Sequence, residues 1–364
     1  MNAEKALSYL EVRLGALVEN YRICQRLSGT TVAGVVKADA YGLGAEPVSR
    51  VLAQAGCDTF FVARSEEGIA LRRTLSDVRI FVLDGCPSGT GAALIRHRLT
   101  PILNSLQQIE SWSAEARARR TELDAAVHID TGMNRLGLPA DEVAILSAQA
   151  PERLKGIKVV LIMSHLACSE DPSAKMNREQ LARFRAGLAA LPPAPASLSP
   201  SGGVCLGREF AFDLVRPGIA LYGGNPQPAK PNAFKTVVRL TGRILQLRRV
   251  DRGESVGYGA TFHAQRPATL ATVGLGYADG LMRAIGNRGS GAIAGMRAPV
   301  AGRVSMDLIA LDVTGISSTD VGAEVEFIGD TISLEEIAAA AGTANYEILT
   351  GLGKRLSRNY VSAP

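Results

Sequence analysis

What this 364-residue chain lacks already excludes several classes of function. Its five cysteines, Cys24, Cys57, Cys86, Cys168 and Cys205, are scattered and odd in number, and no CxxC pair occurs. That argues against a disulfide framework and a cysteine-built zinc site, and it fits a reducing cytoplasm. No stretch approaches the ~20 apolar residues that a membrane span needs. Residues 1–12 hold no basic segment followed by an apolar core, so no secretory leader is expected there. No GxGxxG follows the first predicted strand, which weakens a dinucleotide-binding sheet. There is no internal repeat, no low-complexity segment and no cluster of metal ligands. Charge of one sign is nearly absent as a signal: 40 Lys and Arg face 35 Asp and Glu, a formal net of +5. The densest basic spot, Arg248, Arg249 and Arg252, lacks the interleaved aromatics of a single-strand binder. Neither nucleic acid nor membrane is expected as a partner. A small anionic ligand suits the modest positive charge.

What is present is a large apolar fraction, 46%, arranged in two different rhythms. Up to about residue 225, short apolar runs alternate with amphipathic helical stretches. The predicted strands are 31–37, 59–62, 79–83, 101–103, 125–129, 157–163, 196–198 and 219–221. The predicted helices include 14–27, 46–54, 66–75, 92–98, 105–119, 141–150 and 174–191. About eight strand–helix units predict a closed parallel α/β barrel, (β/α)8 and TIM-like, with a doubly wound open sheet as the alternative. Asn225-Pro226-Gln227-Pro228-Ala229-Lys230-Pro231-Asn232 then reads as a connection. Beyond it, β-branched runs at 237–250, 270–275, 298–304, 308–313 and 323–328, with one helix at 334–341, predict a mostly β domain. The expected division is 1–232 for the barrel and 233–364 for the β domain.

The chemistry concentrates at predicted strand ends. Val35-Val36-Lys37-Ala38-Asp39-Ala40-Tyr41-Gly42-Leu43-Gly44 places a lysine where an apolar strand gives way to a glycine-rich turn. A partly desolvated amine there loses its proton readily and forms a Schiff base with a carbonyl. Taken alone it reads better as a snorkelling lysine. His128-Ile129-Asp130-Thr131-Gly132, Ser164-His165-Leu166, Ser199-Pro200-Ser201-Gly202-Gly203 and Val215-Arg216-Pro217-Gly218-Ile219 fall at other strand ends. Ser201-Gly202-Gly203 and Gly218-Ile219 offer backbone N–H groups suited to a phosphate. An amine nucleophile beside a phosphate cradle is what pyridoxal 5'-phosphate requires.

With these motifs the chain resembles the alanine racemase family over nearly its whole length, from the Lys37 motif to Arg355–Tyr360. Gly257-Tyr258-Gly259-Ala260-Thr261, Gly276-Tyr277-Ala278-Asp279-Gly280 and Gly302-Arg303-Val304-Ser305-Met306-Asp307 in the second domain belong to the match. The resemblance implies a cytoplasmic homodimer with active sites shared between subunits. It implies that Lys37 carries the cofactor and that Tyr41, Ser201, Gly218, Ile219 and Tyr360 hold its phosphate. It assigns Arg216 to the pyridine nitrogen. Tyr258, from the partner, would be the second base, with His165 adjusting it beside the cofactor. Arg135 would meet the cofactor and the substrate side, the Met306 backbone would bind the substrate carboxylate, and Tyr277 would narrow the entrance. The implied activity is racemisation of alanine by two bases, supplying D-alanine for peptidoglycan. A broader amino-acid racemase, acting for instance on serine, a non-catalytic pyridoxal-phosphate-binding protein, and an aldolase or decarboxylase on a similar barrel are the alternatives. The second domain and Tyr258 argue against the non-catalytic reading, and the absence of metal ligands against the last.

Three departures stand out. Many family members carry a lysine, which can be carbamylated, where this chain has His128. A protonated His128 would repel Arg135, so a neutral imidazole or an intervening anion is expected. Pro200 stands where an asparagine usually precedes the serine, and Arg13 replaces an acid.

Overall fold

The computed structural model describes residues 6–362, so part of the 1–12 segment read for a leader lies outside the described residues. Seven short parallel strands follow one another in chain order around a sheet: Gly34–Val35, Thr59–Val62, Arg79–Val82, Thr100–Leu103, Leu123–His128, Ile157–Met163 and Ala196–Ser197. Leu214–Val215 pairs in parallel with Thr31–Val32. Arg216 N–H donates to Ser199 O at 2.9 Å, which joins that pair to the seventh strand and closes an (β/α)8 barrel. The strands read as apolar runs because both faces are covered: Phe60, Phe61, Ile80, Phe81 and Ile102 are all buried. Helices between them start and stop on local signals. Ser105 accepts from the Gln108 N–H to cap Leu106–Arg119, and Gly29, at φ 69°, ends Leu14–Ser28.

The second sheet is mostly antiparallel and built around the long strand Val238–Val250. Ala268–Val273 and Glu324–Ile328 flank it, Ile309–Asp312 pairs outside Ala268–Val273, and the hairpin Ser290–Ile293/Met296–Pro299 extends the sheet beyond Glu324–Ile328. Its most unexpected member comes from the other end of the chain. Ser8–Arg13 lies between Val238–Val250, antiparallel, and Ser357–Val361, parallel. Leu10 and Val12 face the core while Glu11 and Arg13 face outward, and Arg13 forms a two-pronged ion pair with Asp330 at 2.8 and 2.9 Å. The residue that departs from the family pattern therefore ties the first strand to the second sheet.

Several expected elements shift. Residues 219–221 form a buried turn, not a strand; the last stave is Leu214–Val215, two residues ahead of Pro217, whose ring cannot donate to a ladder. The 298–304 run is only partly strand. The strand ends at Pro299, Val300 adds one antiparallel bridge to Leu311, and residues 301–308 are a loop. The hairpin strand Ser290–Ile293 carries glycine and alanine instead of a β-branched run, and it turns at Ala294 and Gly295, both with positive φ. A short helix, Asn345–Thr350, was not expected at all.

Candidate active site

A cavity of ≈ 810 Å³ opens at the carboxyl ends of the barrel strands, the face where barrel enzymes place their chemistry. Lys37, Tyr41, His128, Arg135, His165, Ser201, Arg216, Gly218 and Ile219 all line it. That volume is ample for a cofactor and a small substrate together.

Lys37 leads into a turn of unusual hand. Ala38, Asp39, Ala40 and Tyr41 all have φ between 52° and 57°, a single left-handed helical turn closed by Gly42 at φ 82°. Each non-glycine residue there costs roughly 1–2 kcal/mol, so the surroundings must impose it. Glu67 accepts the Ala38 N–H at 2.7 Å, Asp39 Oδ1 accepts the Ala45 N–H at 2.7 Å, and Arg358 donates to Gly42 O at 2.9 Å. Gly42 has no room for a Cβ, which would fall 2.7 Å from Leu349 O. Burial first, then Arg135, lowers the Lys37 pKa below its ordinary value, and Glu67 and Asp84 oppose the shift.

Arg216 is buried without a carboxylate partner. Its donors reach the Ser197 hydroxyl and Ser164 O, the latter at 2.5 Å, and burial pushes its guanidinium down to about 9. A guanidinium has five N–H groups, and those not engaged by these neutral oxygens can serve an acceptor in the cavity. His165 is half-buried in the cavity wall. Burial, then Arg216, holds its imidazole well below the ordinary range, so it is neutral at pH 7.

Ser201 Oγ accepts from the Gly218 N–H at 2.9 Å and the Ala220 N–H at 3.2 Å. With both lone pairs engaged, the hydroxyl has its proton left to donate, which suits an anion. The Gly218 N–H, expected to face a phosphate, is instead used by Ser201. Gly218 serves by lacking a side chain: a Cβ there would lie 2.1 Å from Tyr41 Oη. These donors and this cleared space fit the phosphate of pyridoxal phosphate, as Lys37 and Arg216 fit its carbonyl carbon and ring nitrogen.

His128 answers the question its position posed. Asn104 Nδ2 donates to Leu83 O at 3.0 Å and Ile102 O at 2.9 Å, which fixes the amide. Its Oδ1 therefore accepts from His128 Nδ1 at 2.7 Å. Burial, then Arg216, pushes His128 down to about 4, which favours the neutral imidazole.

One assigned residue of the first domain's cradle stands apart from the others. Tyr360 does not line the cavity; its hydroxyl donates to Leu43 O at 3.0 Å, because its strand, Ser357–Val361, packs beside Ser8–Arg13 behind the lysine turn. Tyr346, from the unexpected helix Asn345–Thr350, lines the cavity instead, with its ring 6.1 Å from that of Tyr41. Glu67 and Asn104 were also missed, and only their positions just beyond strand ends hinted at a role.

Tyr258, Tyr277 and Met306 lie apart from the cavity within one chain. They are 71%, 41% and 53% exposed.

Comparison with known proteins bears on this geometry. The N-terminal domain family of alanine racemase matches residues 12–226, and its C-terminal domain family matches 237–360. A catabolic alanine racemase of Agrobacterium fabrum is 49% identical over 360 residues, covering 98% of this chain and 92% of that protein. An alanine racemase of Rhodospirillum rubrum is 47% identical, covering 98% and 96%. The crystal structure of alanine racemase from Bartonella henselae, with covalently bound pyridoxal phosphate, superposes with a TM-score of 0.94 at 40% identity, covering 98% of this chain and 100% of that one.

Proposed function

Since this chain belongs to the alanine racemase family and so interconverts L- and D-alanine with pyridoxal phosphate, we propose that Lys37 and Tyr258 are its two bases, the latter supplied by a second copy. The observation that carries this reading is the desolvated Lys37 amine in one cavity with the buried, carboxylate-free Arg216 and the Ser201 donor.

When bound, pyridoxal phosphate supplies the electron sink that makes the Cα–H bond of an attached amino acid acidic. Racemisation then needs a proton removed on one face of Cα and returned on the other. Lys37 Nζ, its pKa lowered by burial, exchanges the proton on the barrel face. Tyr258 Oη exchanges it on the opposite face. Arg216 would hold the ring nitrogen, and a guanidinium that keeps its proton would leave that nitrogen unprotonated, limiting the sink and favouring prompt return of the proton. Ser201, Tyr41 and the Ile219 N–H would hold the phosphate, with Tyr346 and His165 in the same cavity wall. Arg135 meets the substrate side with the partner's Met306 and Tyr277. The expected division of 1–232 and 233–364 shifts at its start, since Ser8–Arg13 pairs within the second sheet; the two units would serve a cytoplasmic homodimer whose product supplies peptidoglycan with D-alanine.

The test is paired. Lys37→Ala should abolish the visible absorbance of the bound cofactor, and retention of that absorbance would sink the lysine's role. Tyr258→Phe should slow solvent exchange of the Cα proton from one enantiomer at least about tenfold more than from the other, within the usual range for acid–base groups. Equal slowing of both, or none, would remove Tyr258 from the reaction.

A further inference from the structure

The Tyr277 and Met306 loops are held together at two levels. The backbone level is direct: the Tyr277 N–H donates to Ser305 O at 3.0 Å, and the Ala278 N–H to Met306 O at 2.9 Å. Gly276 permits this approach, since a Cβ there would sit 2.3 Å from Met306 O.

The side-chain level is a single guanidinium. Arg355 Nε donates to Asp279 Oδ1 at 2.6 Å, and its Nη2 donates to Asp279 Oδ2 at 3.1 Å and to Asp307 Oδ1 at 2.7 Å. Asp279 is buried, and its Oδ2 also accepts the Gly276 N–H at 2.8 Å. The Gly353 N–H donates to Asp279 O at 2.8 Å. One planar fork thus joins three segments: the turn that carries Tyr277, the loop that carries Met306, and the stretch leading into the last strand. Asp307 belongs to no sheet ladder and its side chain is mostly exposed, so its bond to Arg355 is not needed to build the domain. That bond does fix where Met306, the preceding residue, stands relative to Tyr277. The fork geometry matters because a lysine ammonium, a point charge with rotatable donors, cannot grip one carboxylate with two bonds while fixing the direction of the second.

We propose that Arg355 is a positioning residue for the substrate: by bridging Asp279 to Asp307 it sets the separation of the Tyr277 side chain and the Met306 backbone. That separation governs how tightly alanine is held and how well a larger side chain, such as that of serine, is refused. The inference rests on the placement of Tyr277 and Met306 at the substrate, made above.

The experiment uses the full-length holoenzyme. Asp307→Asn loosens the exposed arm while leaving both bonds from Arg355 to the buried Asp279 intact, so folding is preserved. Arg355→Lys keeps the charge and removes the fork. Both should raise KM for alanine about threefold to tenfold with kcat changed less than about twofold, and both should narrow the preference for alanine over serine. Asp307→Asn with wild-type KM, or with loss confined to kcat or to the thermal midpoint, overturns the proposal. Tyr277→Ala is measured alongside. If it shifts KM while Asp307→Asn is silent, the clamp alone fails; if it too is silent, the placement of these loops at the substrate fails with it.

Discussion

Burial, with Arg216 close by, takes the His128 imidazole down to about 4, while in the unfolded chain it titrates near 6.5. Between those values the unfolded state binds the extra proton. The stability that the neutral form contributes is therefore complete above about pH 6.5 and is lost as pH falls toward 4, on the order of 3 kcal/mol in all. His165, shifted the same way, adds to the slope. Thermal midpoints recorded from pH 7 to 5, above the range where carboxylates dominate, should fall steadily for the wild type and less steeply for His128→Asn. Parallel slopes would show that His128 does not carry the effect. At this scale much of the site was legible. A lysine at a strand end, an arginine beside Pro217-Gly218 and a serine before two glycines each have a chemistry that their type announces. Tyr360 and Tyr346 were not separable in that way. Both are tyrosines late in the chain, and only the packing of a six-residue helix decides which ring reaches the cavity.

The left-handed turn at 38–41 is an element that no propensity predicts, since alanine, aspartate and tyrosine all disfavour it. Its hand is imposed from outside, chiefly by Glu67, which accepts the Ala38 N–H with one oxygen and the Ala63 and Arg64 N–H groups with the other. Glu67→Gln replaces one acceptor oxygen with a donor. It should cost about 1–2 kcal/mol of stability and weaken cofactor retention, read as a lower thermal midpoint and faster loss of visible absorbance on dilution. A variant that retains both properties would mean that the turn holds itself. The regular elements were far easier to read. Buried strands such as 59–62 and 157–163 announce themselves as apolar runs between turn signals. The failures share a cause: where pairing depends on distant partners, as for 8–13 and 290–293, local composition says little.

For the whole molecule, the exposed row of Tyr258, Tyr277 and Met306 and the open cavity of the barrel are the two halves of the proposed shared site. Mixing inactive Lys37→Ala and Tyr258→Phe chains under conditions that exchange subunits should restore activity. A hybrid has one site with both bases intact, so a statistical mixture, half hybrid, should reach roughly a quarter of wild-type activity. No recovery, with exchange verified, would mean that each chain works alone.

The strand Ser8–Arg13 is made early in synthesis, yet its neighbours, Val238–Val250 and Ser357–Val361, emerge late. While the barrel gathers itself behind the ribosome, this strand waits with both edges bare. A copy cut short before Arg355 keeps one such edge, and with it loses the Arg355 fork and the Arg358 support beneath the lysine turn. An unfinished chain is thereby marked as unfinished: the same missing residues that disable it leave a sticky border for chaperones and proteases to find.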